Sequence, residues 1–151
     1  MRFYPESAPV QLEFDKIKAL LVEQTQTLIG RDKAALLRIH TKKDFIDTEL
    51  RQSYQYLQLL ATGQTFQHGT AFNLQKELKL LSISGAVLTG EVFLQFKRLA
   101  ENIESIFRWF DDERQDNYSS LYAILSITHI EKSIASSIEK VIGDDARVLD
   151  T

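Results

Sequence analysis

The chain contains no cysteine. That excludes disulfides and any zinc held by thiolates, and it suits the cytoplasmic location expected here. Proline occurs twice, at Pro5 and Pro9, so only the opening stretch reads as an irregular lead-in. No run of about eighteen apolar residues is present, so neither a membrane span nor a membrane partner is expected. The opening Met1-Arg2-Phe3-Tyr4-Pro5-Glu6-Ser7 lacks the apolar region of a secretion signal. Without secretion, the sequon Asn117-Tyr118-Ser119 carries no meaning. Charge of neither sign dominates: 18 basic and 21 acidic side chains leave a net −3. That balance does not point to nucleic acid or a lipid surface. Strand-like alternation, internal repeats and low-complexity segments are absent as well.

What is present is helical periodicity. The length of 151 residues suits one ordinary domain, and the 44% hydrophobic and 26% charged content is globular. A chain of this size buries roughly 70% of its unfolded surface. Thr89 to Phe110 forms the expected spine. Its apolar residues Val92, Phe93, Phe96, Leu99, Ala100, Ile103, Ile106, Phe107 and Phe110 step by three and four along one helix face. Thr89 is placed to cap this helix, with Glu91 in its first turn. Phe93, Phe96, Ile103 and Phe107 are the expected core.

Five further helical segments are read around it. The first starts near Phe14, with Ile17, Leu20, Leu21, Leu28 and Ile29 on its buried stripe. It is either kinked at Gly30 or divided there. Thr41-Lys42-Lys43-Asp44 is close to a capping box. It opens a second helix with a stripe of Phe45, Ile46, Leu50, Tyr54, Leu57, Leu60 and Ala61, stopped by Gly63. A loop over Gly63 to Thr70 precedes a helix from Leu74 to Leu81. Asp111 to Asp116 reads as a solvated break, and periodicity resumes from Tyr118 to Ile127. Ile130, Ile134, Ile138 and Ile142 mark the last helix, which ends at Gly143. The tail suits a tight turn with short extended arms. The expected class is all-α, a multi-helix bundle. Its expected divisions are a lead-in over 1–11, a helical core over 12–143 and a connector over 144–151.

No catalytic, cofactor, metal or nucleic-acid site is assigned. His40, His68 and His129 lack metal-ligand spacing. Gly85-Ala-Val-Leu-Thr-Gly90 has the two glycines of a phosphate loop. It continues with Glu91 and Val92, where the phosphates require a lysine and magnesium a hydroxyl. A turn and a helix cap explain it better. Asp111, Asp112, Glu113 and Asp116 lack the alternating ligands and glycine of a calcium loop. Asp144 and Asp145 read as turn formers. The most basic segment holds Arg31, Lys33, Arg38, Lys42 and Lys43; phosphate contact and an ordinary solvated helix end are its two readings. Tyr54 and Tyr56 lie on different helix faces, so only one of them is core.

Several stretches, in order, resemble the second MutS family, whose members lack the mismatch-reading domain. They are Leu12-Glu13-Phe14-Asp15-Lys16-Ile17, Thr27-Leu28-Ile29-Gly30-Arg31, Thr41 to Leu60, Ser84 to Thr89, and Ile142 to Asp150. Gly90 stands where that family more usually has an acidic residue or proline, and the 63–69 stretch lacks its commoner Pro-Phe-Gly run. The resemblance implies the helical core (lever-base) domain of a dimeric, branched-DNA-binding ATPase of recombination control and mismatch-type DNA repair. Some lineages serve in ribosome rescue instead. ATP and magnesium would be bound in the parent protein by other domains, and nuclease activity would also lie elsewhere. This chain would be non-enzymatic, partnered by its own lever, clamp and ATPase, and would form a homodimer through the parent. A freestanding helical interaction module is the other reading. On the family reading the end at Thr151 is artificial. The uncovered face of Ile130, Ile134, Ile138 and Ile142 is then expected to drive self-association.

Overall fold

Three- and four-residue periodicity punctuated by capping residues yields helices, and helices are what this chain forms. The computed structural model describes residues 5, 7–66 and 71–149. Among the described residues lie nine helices, and the only strand-like pairing is a single antiparallel bridge between Ile142 and Val148. The chain divides into two compact units, Met1–His40 and Thr41–Thr151.

The first unit contains α1 (Ala8–Gln11), α2 (Phe14–Glu23) and α3 (Leu28–Ala35). Pro9 falls in the first turn of α1, where its missing N–H is not needed, so the lead-in holds one helical turn. The break after α2 comes before Gly30. The Thr25 hydroxyl donates to the Val22 carbonyl at 2.7 Å. The Thr27 hydroxyl accepts from the Gly30 N–H at 3.0 Å and caps α3. The polar Gln24–Thr27 stretch therefore separates two helices, and Gly30 lies inside the second. The stripe expected to be buried is not: Ile17, Leu20, Leu21 and Leu28 are exposed, and only Ala34 is buried. An eight-residue α3 covers little of the helix before it.

The second unit contains α4 (Lys43–Ala61), α5 (Gln75–Leu81), α6 (Gly90–Trp109), α7 (Asp112–Asn117), α8 (Ser119–Ser126) and α9 (Ser133–Glu139). The capping box at Thr41 does not form. Lys42 occupies the cap without a side-chain bond, and Lys43 pairs with Asp47 one turn on. Gly63 ends α4 in the left-handed region, at φ 70°, where glycine has no steric penalty. Of the loop expected over Gly63 to Thr70, positions 67–70 lie outside the described residues. The solvated break expected at Asp111 to Asp116 is helical instead. Asp111 caps α7 by accepting the Arg114 N–H at 2.9 Å, so the acidic run begins a helix.

The spine forms as expected, α6 running over 20 residues, but the core lies at its end and not along its middle. Phe93, Phe96, Ile103 and Phe107 are half-buried. The buried cluster is Leu59, Phe110 and Tyr118, ringed by Phe66, Trp109 and Tyr122 among others. The Phe110 ring lies 4.9 Å from Trp109 in a T-shape and 5.6 Å from Tyr122. Phe66 stands 5.4 Å from Trp109. The physical reason is coverage. Along its middle, α6 packs chiefly against the seven-residue α9, which is too short to enclose a stripe of this length. At its C-terminal end α4, α7 and α8 converge, and aromatic rings fill the space.

The tail folds back. The Gly143 N–H donates to the Arg147 carbonyl and the Leu149 N–H to the Val141 carbonyl, both at 2.8 Å. This is the expected tight turn with short arms. The last helix stops at Glu139, earlier than expected, and Ile142 leaves it to be buried in the bridge. The turn presses on the start of α6: a Cβ built on Gly90 would meet the Ala146 carbonyl oxygen at 1.8 Å. Only glycine admits that approach.

Candidate interaction surface

Side chains with chemical potential are mostly committed to structure. Arg114 donates to the Trp109 carbonyl at 3.1 Å, pairs with Asp111, and stacks 4.7 Å over the Trp109 ring. Asp145 accepts the Arg147 N–H at 3.1 Å. No group of three or more His, Asp or Glu residues able to hold a metal ion occurs among the described residues. His129 is exposed, while His68 lies outside the described residues. Gly85 adopts φ 82° in the turn before α6. At Thr89 the structure departs from the expected cap: its side chain makes no bond to the helix N–H groups. Its hydroxyl instead bonds the Glu91 carboxylate and, with Glu91's own N–H, holds that carboxyl below its ordinary range. A carboxylate held ionised at this turn opposes phosphate.

The basic segment does not gather into one patch within a unit. Arg31, Lys33 and Arg38 belong to the first unit and Lys42 and Lys43 to the second. The best-organised cation is one the sequence did not single out. Lys97 reaches from α6 to Glu139 on α9 at 3.3 Å, to Glu101 at 3.9 Å and to Asp144 in the tail turn at 4.0 Å. The bond to Glu139 is the main cause that raises its pKa above the ordinary lysine value. It ties three segments together and belongs to the fold.

What remains is apolar surface, and α4 shows it best. Leu50, Tyr54 and Leu57 share one side of that helix at four- and three-residue steps. The structure leaves them 63%, 61% and 62% exposed. The side that packs is the opposite one, with Tyr56 and Leu59; Leu59 is fully buried. Gln55 lies on this inner side. Its Oε1 accepts the N–H groups of Ser120 and Leu121 at 2.8 and 3.1 Å. The Ser120 N–H has no intrahelical acceptor at the start of α8 and the Leu121 N–H also reaches the Tyr118 carbonyl at 3.0 Å, so an amide oxygen from another helix serves Ser120 as a cap would and shares Leu121. The expected buried stripe of α4 is thus corrected to an outward one. Gln55 docks α8 on the other side, a pairing across 65 residues that no local pattern signals. Of the two tyrosines, Tyr56 packs edge-on to Phe66 at 6.2 Å and Tyr54 is exposed.

A second apolar feature is a groove of about 160 Å³ on α6. Phe96, Leu99 and Ile103 form its floor, Leu78 of α5 and Ile130 and Ile134 its walls, and His129 and Glu131 stand at its edge. The isoleucine face expected to be uncovered is therefore divided. Ile142 is buried and Ile130 and Ile138 half-buried, while Ile134 is 42% exposed and lines the groove.

Among the described residues no helix is long and apolar enough to cross a membrane. No family model matches this chain, and no solved structure matches it. Among curated proteins, it is similar to the endonuclease MutS2 of Latilactobacillus sakei subsp. sakei (strain 23K), at 26% identity over 142 residues. The alignment covers 93% of this chain and 18% of that protein, so the chain spans less than a fifth of the length of the relative it matches. The similarity supports a MutS-like relationship at the level of the family.

Proposed function

We propose that this chain is a helical core segment of a MutS-like protein that acts on DNA, joining the clamp and ATPase parts of its parent and carrying no chemistry itself. The observation that supports this reading is the alignment over 93% of the chain with a MutS2 endonuclease. The outward stripe of α4 agrees with it, because a core segment offers apolar faces to the parts it joins. On this reading ATP, magnesium and any nuclease site belong to other domains, the parent is a homodimer, and branched DNA is engaged elsewhere. A ribosomal target is the variant of the same reading.

The test is binding and turnover by the chain alone. With so few basic groups gathered, affinity for duplex and four-way-junction DNA, read by fluorescence anisotropy, should be weak and vanish steeply toward physiological salt. Phosphate release from ATP should be absent. Salt-resistant, sub-micromolar junction binding would make this segment a recognition domain itself.

A second reading has its own support. Burial of Ile142 in the tail turn and its neighbours' packing on α6 favour a freestanding helical interaction module. Sedimentation velocity separates the two readings. A core segment should self-associate through its uncovered faces as concentration rises, and a freestanding module should remain a monodisperse monomer.

A further inference from the structure

We draw no further inference here: the strongest candidate, the apolar groove on α6 floored by Phe96, Leu99 and Ile103, carries nothing because nothing in the structure shows what covers it.

Discussion

Helices α4 and α6 look alike as sequence and differ as structure. Both are long, 19 and 20 residues, and both carry an apolar stripe at helical spacing with charges between. On α6 the stripe is half-buried along its length and ends in the aromatic core. On α4 it faces out, and the helix packs by its other side through Tyr56, Leu59 and the amide of Gln55. Apolar residues at steps of three and four establish that a helix has an apolar side. They do not establish which neighbour arrives, or on which side. For α4 the neighbour is α8, and a pair of hydrogen bonds at the start of α8 holds that side inward.

Substitutions can break this comparison, and the largest effect is expected where the stripe of α6 meets the core. Phe110 is 4% exposed, so Phe110→Ala should destabilise the second unit by about 3–5 kcal/mol, the usual range for a buried aromatic. Urea unfolding measures it. Phe96→Ala, at the half-buried middle of the same stripe, should cost distinctly less. Equal losses at the two positions would return the core to the middle of the spine.

Next comes Gly90→Ala. Helix propensity alone predicts a gain of up to about 1 kcal/mol from replacing a helical glycine. The close approach of the Ala146 carbonyl predicts a loss of about 1–3 kcal/mol by overpacking. The sign of the change in melting temperature decides. Faster hydrogen exchange at the Gly143 and Leu149 amides would locate the damage in the tail turn.

Gln55→Ala should cost about 1–2 kcal/mol, the cost of leaving the Ser120 N–H without its acceptor; the Leu121 N–H keeps the Tyr118 carbonyl. Gln55→Glu keeps an oxygen there and should lose less. If the alanine variant melts like the parent, α8 is not docked through this amide, and the orientation of α4 lacks its cause.

The smallest effect is expected on the outward stripe. Leu50→Gln with Leu57→Gln should alter stability by no more than about 0.5 kcal/mol per site, as exposed substitutions do. Sedimentation should show less self-association than in the parent chain if this stripe is what other parts of a larger protein cover. A loss of several kcal/mol would place the stripe in the core after all.

Much of the fold is legible in the sequence because helix formation is local. Steps of three and four residues find α6 to within a residue or so, Gly63 marks the end of α4, and the tail from Gly143 onward announces a turn. Local signals fail where a competing local bond is stronger. Thr27 begins a helix where Gly30 reads as an interruption, because its hydroxyl takes the Gly30 N–H. Asp111 begins a helix where a charge run reads as solvated chain, because its carboxylate takes the Arg114 N–H. The exposed surface is less legible still: Leu50, Tyr54 and Leu57 read as a buried stripe, and only the structure turns them outward.

By itself, then, the sequence determined the helical class, the spine and the absence of any recognisable catalytic motif, since each depends on residues within a few turns of one another. Tertiary structure decided the rest: which face of α4 turns inward, that the core gathers at Phe110 and not at Phe96, and that glycine must stand at position 90 opposite Ala146. Those outcomes depend on pairs such as Gln55 with Ser120 or Gly90 with Ala146, separated by dozens of residues. Their register is set by how much area and how many backbone donors the available neighbours can satisfy, and no window of sequence contains both partners.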